Sequence, residues 1–464
     1  MPSTFFGLSV AHSGLEAQRR AMDVVSYNIA NANDPMYKRQ RVVFSEGAVL
    51  AQATDSSPNG TSPFGSGVAM GDVIRIKDQL VENRLRQSLQ SLSAWDYRTK
   101  VLQQLEATLG EPGDKGLQED LDAFWASWQK VATSPDSLPI RSSLLENATA
   151  LCQRLGFVYS QLINQSKDLD VAIEDRVAKI NLMADEIGRL NNQISSMEAG
   201  RIAVNDLQNR RDALVQEMGK LVDVTQHGDG RSGFILSIGG TVLVEENKVN
   251  HLQAQTDATG VLRVQWVRDG AEVEISGGEM RAILDLRDTD IPDYMAQLDS
   301  LATELVNSVN TLHRAGRVMD GSAGGDFFLA GSTAGNLQLD PTLVGHPELI
   351  AASLSGAIGD GDVAQQIAAL KETSLSGGKT VNQLYRDLIG DLAGASFTSQ
   401  KQVAASKLVV DQFTTQQQAV SGVSIDEELT NMIKFQQAYS ACARVITTMD
   451  QMLDALMQTG IVGR

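Results

Sequence analysis

The sequence predicts a mainly α protein: a long-helix bundle built from the N- and C-terminal halves, with a small antiparallel β insertion and terminal helices able to form coiled coils. Three observations carry that expectation. Both ends place apolar residues at spacings of three and four, the signature of an amphipathic helix. No proline occurs between Pro139 and Pro292, and the first two-thirds of that interval is rich in Leu, Ala, Gln, Glu and Arg, which favour helix. A period-two pattern punctuated by glycine then occupies about 226–278, as strands require.

From the N-terminus, Leu8, Ala11, Leu15, Gln18, Met22, Val25, Ile29 and Ala32 form one seam with a single polar member. The helix is expected to stop at Asn31–Pro35, because asparagine tolerates a left-handed cap and proline restricts the residue before it. Residues 36–72, with "TDSSPNGTSPFGSG", read as loop with one strand at Gln40–Phe44. Helical pattern returns from about Asp72 to Leu109, and Arg141–Ser195 reads as one or two long helices, followed by a helix at Asn205–Leu221. In the β insertion, Phe234, Leu236 and Ile238 share a face, as do Leu262, Val264 and Trp266, and Val273 and Ile275.

Helix resumes at Gly278–Leu286, and again from Pro292 to about Gly316 with Leu298, Leu301, Leu305 and Val309 on its apolar side. Residues 316–360 are glycine-rich and irregular, with short strands expected near 335–340. Helices follow from Asp362, read as an N-cap, and from Val381 to about Val420. The last helix opens with a capping-box pattern, Ser424 and Glu427. Asp426, Glu427 and Glu428 occupy its first turn, where the helix dipole favours acids. Ile425, Leu429 and Met432 begin one seam; Phe435, Cys442, Val445, Met449, Met452 and Leu456 continue a second, with Tyr439, Ile446 and Leu453 beside it. That face is wider than one coiled-coil stripe, so one helix does not cover it. The division expected is 1–33, an assembly helix mobile in the monomer; 34–225, linker and first bundle part; 226–278, β domain; 279–420, second bundle part with the irregular 316–360 segment; and 421–464, a second assembly helix.

Composition narrows the function. The chain has 464 residues, 42% of them hydrophobic, and a formal net charge of −18, which argues against nucleic acid or an anionic membrane as partner. Cys152 and Cys442 suggest no disulfide framework. The first residues lack a basic segment followed by an apolar core, and no run is long enough to span a membrane. The five histidines are scattered and predict no metal site. "GDGRSG" at Gly228–Gly233 follows a helix and precedes a strand, the reverse of a dinucleotide loop, and reads as a turn. Phe124, Trp125 and Trp128 read as bundle core, and "NDLQNRRDAL" at 205–214 as a solvated or salt-bridged helix face. No catalytic constellation or cofactor site is expected.

Asn28, Ile29, Ala30, Asn31, Pro35, Tyr37, Arg39 and Gln40 match the N-terminal signature of the axial proteins of the bacterial flagellum, the rod, hook and hook-associated proteins. Asp34 and Met36 stand where that signature has threonine and glycine. The C-terminal Ile425, Asp426, Glu427, Glu428, Gln437, Ala438, Tyr439, Ala441, Ala443 and Met452 resemble the same family's terminal helix. The middle, including "GLQEDLDAFWASWQKVATSPDSLPIRSSLL" and "GGEMRAILDLRDTDIPDYMAQLDSLATELVNSVNTLHRAG", resembles the hook-associated members.

The resemblance implies a structural, non-enzymatic protein of the hook–filament junction. It implies export through the flagellar type III channel without signal cleavage, self-association into a ring, and neighbours in the hook protein and hook-associated protein 3. A cytoplasmic export chaperone is expected at the C-terminal helix. The terminal seams would drive assembly, and Asn28, Asn31, Pro35, Tyr37, Arg39 and Gln40 would form a joint between inner tube and outer body. The alternatives are a rod or hook protein of the same family, or a secreted enzyme carrying flagellar-type ends.

Overall fold

The computed structural model describes residues 4–461 except 48, 53–61, 66, 111–115, 201–203, 231–232, 358 and 375–377. Helices dominate, and the two terminal helices pack on each other: α1 (Thr4–Ala30) on α10 (Ile425–Ile461). Next inward, α2 (Gln79–Leu109) packs on α9 (Val381–Ser421). Their buried hydroxyls Thr99 and Ser399 approach to 2.7 Å. Asp78 caps α2 by accepting from Leu80 and Val81 N–H, and Thr380 and Gln383 form a reciprocal capping box on α9.

The body is built around α4 (Leu138–Ala199), one uninterrupted helix of 62 residues, roughly 90 Å long at 1.5 Å per residue. Leu144, Leu151, Leu155, Val158, Leu162, Leu169, Ile173, Val177, Ile180 and Ile187 give it a buried stripe along most of its length. α3 (Leu117–Thr133) supplies Phe124, Trp125 and Trp128, all buried; Phe124 and Trp128 pack against Phe327 from the irregular segment, Phe124 also against Phe328, and Trp125 against Phe124. α6 (Gly278–Asp285) runs through a π turn at Leu286–Asp290 into α7 (Ile291–Ala315), rather than breaking before Pro292. In that turn the buried Arg287 donates to Leu262 O and pairs with Asp170 and Asp288.

α5 (Asn205–Leu221) leads into a four-stranded antiparallel meander, β5 (Val224–Gly230), β6 (Gly233–Ile238), β7 (Thr241–Glu245) and β8 (Lys248–Val249), and a hairpin, β9 (Leu252–Thr256) with β10 (Leu262–Trp266). The alternations at Phe234–Ile238 and Leu262–Trp266 face the core as expected. Val273 and Ile275 are buried too, but outside any named strand; Val273 N–H donates to Val264 O.

Four expectations need correction. Within 36–72 the described residues are mostly strand rather than loop, while most of the run "TDSSPNGTSPFGSG" falls on 53–61, outside the described residues. β1 (Gln40–Glu46) pairs with β4 (Val68–Arg75), and β2 (Val49–Gln52) with β3 (Ser62–Gly65). Gly71, which looked like loop composition, sits within β4 because a Cβ there would lie 2.6 Å from Val43 O. Helix therefore begins at Gln79, not Asp72. Near 335–340 the only strand-like feature among the described residues is an isolated bridge, Phe328 with Leu339.

The irregular segment is stitched down by side chains instead. Asn310 accepts from Phe327 and Phe328 N–H and donates to Phe328 O; His313 accepts from Ala351 N–H at 2.9 Å; Arg141 donates to Pro135, Pro347 and Ile350 carbonyls. Finally, Asp362 is not the N-cap of α8 (Asp362–Ala369). Gly361 holds that position, and Asp360 gathers Ser353, Leu354, Ser355 and Asp362 donors around its carboxylate.

Candidate functional site: the terminal helices and their joint

α1 and α10 run antiparallel. A Cβ on Gly7 would lie 2.2 Å from Met449 Cε and one on Gly14 3.1 Å from Cys442 Sγ, while Asn28 hydrogen-bonds Glu428. The two terminal helices therefore pack on each other within one subunit. Small residues make the approach close. The buried positions of α1 are Ala11, Gly14, Ala17, Ala21, Val25 and Asn28. The larger members of the expected seam, Leu8, Leu15, Met22 and Ile29, are only half-buried along its flank.

On α10 the imbalance is greater. Among its described residues Glu428 alone is buried. Met432, Phe435, Tyr439, Ile446, Met449 and Leu453 are half-buried; Ile425, Leu429, Val445 and Met452 are exposed. Leu456 lies outside the described side chains. Ile433, 56% exposed, and Met457 join the open face though the sequence reading did not single them out. An apolar helix face without cover marks an interaction surface.

The joint is a hydrogen-bonded hub at the body end of this helix pair. Asn28, buried at 1% exposure, satisfies its whole amide. Its Nδ2 donates to Gln40 O at 2.9 Å and Glu428 Oε2 at 3.1 Å, and its Oδ1 accepts from Tyr37 OH at 2.7 Å and Gln40 N–H at 3.0 Å. Arg39 donates through Nε to Glu428 at 2.7 Å and through a terminal nitrogen to Glu427 at 2.8 Å, and its N–H meets Ser421 O. Burial pulls the Arg39 pKa down, but the hydrogen bond to Glu427 and the charge of Glu428 outweigh it and raise the value. Tyr37, held edge-on to Tyr27, has its hydroxyl pKa pushed up, first by burial.

The hub reaches the body through α5. Tyr27 OH donates to Asp206 at 2.8 Å, raising the tyrosine pKa, and Asn205 donates to Gln40 Oε1 and Val73 O. Lys38 pairs with Glu82, which also accepts from Gln417, and Arg75 pairs with Asp212. Of the two readings of "NDLQNRRDAL", the salt-bridged one holds: Asp212 pairs with Arg75 and Arg210 with Glu186, Asp206 accepts from Tyr27, and Arg211 is buried over the Phe234 ring.

Of the expected joint residues, Asn28, Tyr37, Arg39 and Gln40 converge. Asn31 stays local, donating to Tyr27 O, and Pro35 is exposed. Asp34 and Met36 build the turn together. Asp34 Oδ1 accepts from Met36 N–H at 2.9 Å, an Asx turn, and Met36 keeps φ out of the left-handed region. Glu428, Asn205, Asp206 and Glu82 were not legible as joint members, since their partners lie far away in sequence.

Among the described residues no group of three or more His, Cys, Asp or Glu side chains is placed to hold a metal, and no helix is long and apolar enough to cross a membrane.

Residues 102–328 match the flagellar hook-associated protein FlgK helical domain, 416–459 the flagellar basal body rod FlgEFG protein C-terminal family, and 8–38 the flagella basal body rod protein family. The flagellar hook-associated protein 1 of Bacillus subtilis is 29% identical, with the match covering 100% of both chains. That of Salmonella typhimurium is 26% identical over 96% of this chain and 98% of its own. The flagellar hook junction protein FlgK of Burkholderia pseudomallei superposes with a TM-score of 0.65 at 15% identity, covering 73% of this chain and 100% of that one.

Proposed function

The chain belongs to the flagellar hook-associated protein 1 family, and from that premise we propose that it polymerises into the hook–filament junction through the outer faces of its two terminal helices. It is a structural component of that junction and associates with other flagellar axial proteins. The observation that carries the assembly reading is the half-finished helix pair. α10 buries one carboxylate and leaves Leu429, Ile433, Val445 and Met452 exposed, so apolar surface is available for neighbouring subunits.

On this reading the subunits form a ring with the hook protein below and hook-associated protein 3 above. The same open face of α10 suits a cytoplasmic chaperone before export, and export proceeds without a cleaved signal. The protein acts by assembly, not catalysis. Asn28, Tyr37, Arg39, Gln40 and Glu428 form the joint that sets the helix pair against the body; Asn31 and Pro35 shape the turn beside it.

Leu429→Asp and Val445→Asp, two exposed positions of α10, each in a strain lacking the native gene, test this. Both are expected to yield hooks without filaments, with flagellin shed into the medium, while the purified variants keep their helical circular dichroism. Normal filaments in both strains would sink the reading.

A further inference from the structure

We propose that the body carries a binding site for a neutral saccharide, in a trough between α2 and α6 where the Trp95 ring offers an open face. The trough shares no residue with the terminal helices or the joint, so the site stands apart from the assembly reading above.

The trough measures about 340 Å³. One wall is a single face of α2, on which Gln87, Gln90, Ser91, Ala94, Trp95 and Arg98 follow one another over a span of roughly 16 Å. The other wall is Ser276–Gly278 and the exposed side of α6. A Cβ on Gly277 would collide with the Gln90 amide, so glycine there leaves that amide its place along the trough.

The lining selects the ligand by its hydrogen bonds and its charge. The side chains of Gln87, Gln90, Ser91 and Trp95 have no hydrogen-bond partner among the described residues. Amides and hydroxyls both donate and accept, which matches a molecule dense in hydroxyl groups. The two cations of the lining are already neutralised: Arg98 pairs with Asp290 and Arg281 with Asp285. An anionic ligand would have to compete with those carboxylates, whereas an uncharged one leaves both pairs in place.

Trp95 supplies the apolar contact. Trp125, Trp128 and Trp266 are at most 3% exposed, but Trp95 is half-buried, and no ring or cation stacks on it among the described residues. An indole combines a broad apolar face with a polar edge, so it can carry the C–H face of a pyranose while its N–H bonds a hydroxyl. The remaining apolar side chains of the lining are Ala94 and Ala282. They are too small to form the row of apolar anchor sites that a helical peptide needs in a groove. A saccharide therefore suits the trough better than a peptide.

The test uses the full-length chain labelled with fluorotryptophan and followed by fluorine NMR, with the Trp95 resonance identified by its loss in Trp95→Phe. The probes are maltotriose, cellotriose and chitotriose, with trigalacturonate as the anionic counterpart and an amphipathic helical peptide as the competing class. At least one neutral trisaccharide is expected to shift the Trp95 resonance saturably and to leave the other tryptophans unmoved. Trp95→Ala should then weaken binding roughly tenfold or more. Gln87→Met and Gln90→Met keep the side-chain length and remove the amide, and each should weaken binding about threefold or more. These two glutamine variants decide the matter if Trp95→Ala lowers the melting temperature. No saturable shift from any of the three neutral sugars would overturn the proposal. So would trigalacturonate or the peptide binding as well as the best neutral sugar, or unchanged affinity in both glutamine variants.

Discussion

The body and the terminal helix pair are both made of long amphipathic helices, yet they finish differently. In the body, α3 and α7 turn their large side chains inward, and α4 does so along one stripe while leaving Phe157, Val171 and Leu182 exposed. Trp125, Trp128, Phe124, Phe327 and Phe328 are each at most 2% exposed. In the terminal pair the sealed seam is made of Ala, Gly and one Val, closed at the body end by Asn28 and Glu428, and the large apolar side chains of the described residues are half-buried or exposed. Apolar burial stabilises roughly in proportion to area, so the body closes its own account while the helix pair leaves surface for partners. The difference teaches that helical periodicity locates an interface but does not say with whom it forms.

The largest effect belongs to the body. Trp128 is fully buried among Phe124, His313 and Phe327. Trp128→Ala should cost about 3–5 kcal/mol and lower the melting temperature of the whole chain. A melting curve that loses only the terminal helices would break the comparison.

Next in size is the joint. Glu428→Gln removes a carboxylate that is 1% exposed and leaves Arg39 without its buried partner. Breaking such a pair costs on the order of 3 kcal/mol. Here it should act locally. Amide exchange in α1 and α10 should accelerate by at least tenfold while α4 amides stay protected. Uniform acceleration would mean that the joint is part of the body's core.

How much of this was legible depended on range. The mainly α class follows from periodicity and the proline-free interval, which leaves open whether 141–195 is one helix or two; the structure makes it one, of 62 residues. Of the seam expected on α1, Ala11 and Val25 are buried while Leu8, Leu15, Met22 and Ile29 stay half-buried. Heptad reading favours large apolar residues, whereas close helix approach selects Gly7, Gly14 and the alanines. The β1–β4 ribbon was hidden because Gly71 admits a neighbouring carbonyl and so resembles loop composition. In the joint, the signature supplied Asn28, Tyr37, Arg39 and Gln40, but not Glu428 or Asp206. A hydrogen bond spanning 400 residues leaves no local trace.

A smaller effect sharpens the contrast through pH. His313 is fully buried; its Nδ1 donates to Gly325 O, and its Nε2 accepts from Ala351 N–H. Burial lowers its pKa below the ordinary 6.5. The unfolded chain therefore takes up a proton that the folded body refuses. This contribution is fully present above about 6.5 and is lost as pH falls from there toward the folded value. The body's melting temperature should decline between pH 7 and 5, and His313→Gln should flatten that decline. An unchanged slope in the variant would assign the acid sensitivity to other groups.

The smallest expected effect is also the most discriminating. Leu429 is 46% exposed and Ile433 56% exposed, so Leu429→Ser with Ile433→Ser removes little burial from the monomer. Exposed positions of this kind usually change stability by within about 0.5 kcal/mol. Equilibrium unfolding of the purified monomer should be nearly indistinguishable from that of the unmodified chain. Filament retention in cells should fall sharply, because the same two side chains are those a neighbour would cover. A monomer destabilised by more than about 1 kcal/mol would show instead that these residues already have partners within one subunit. The helix pair would then be as self-sufficient as the body.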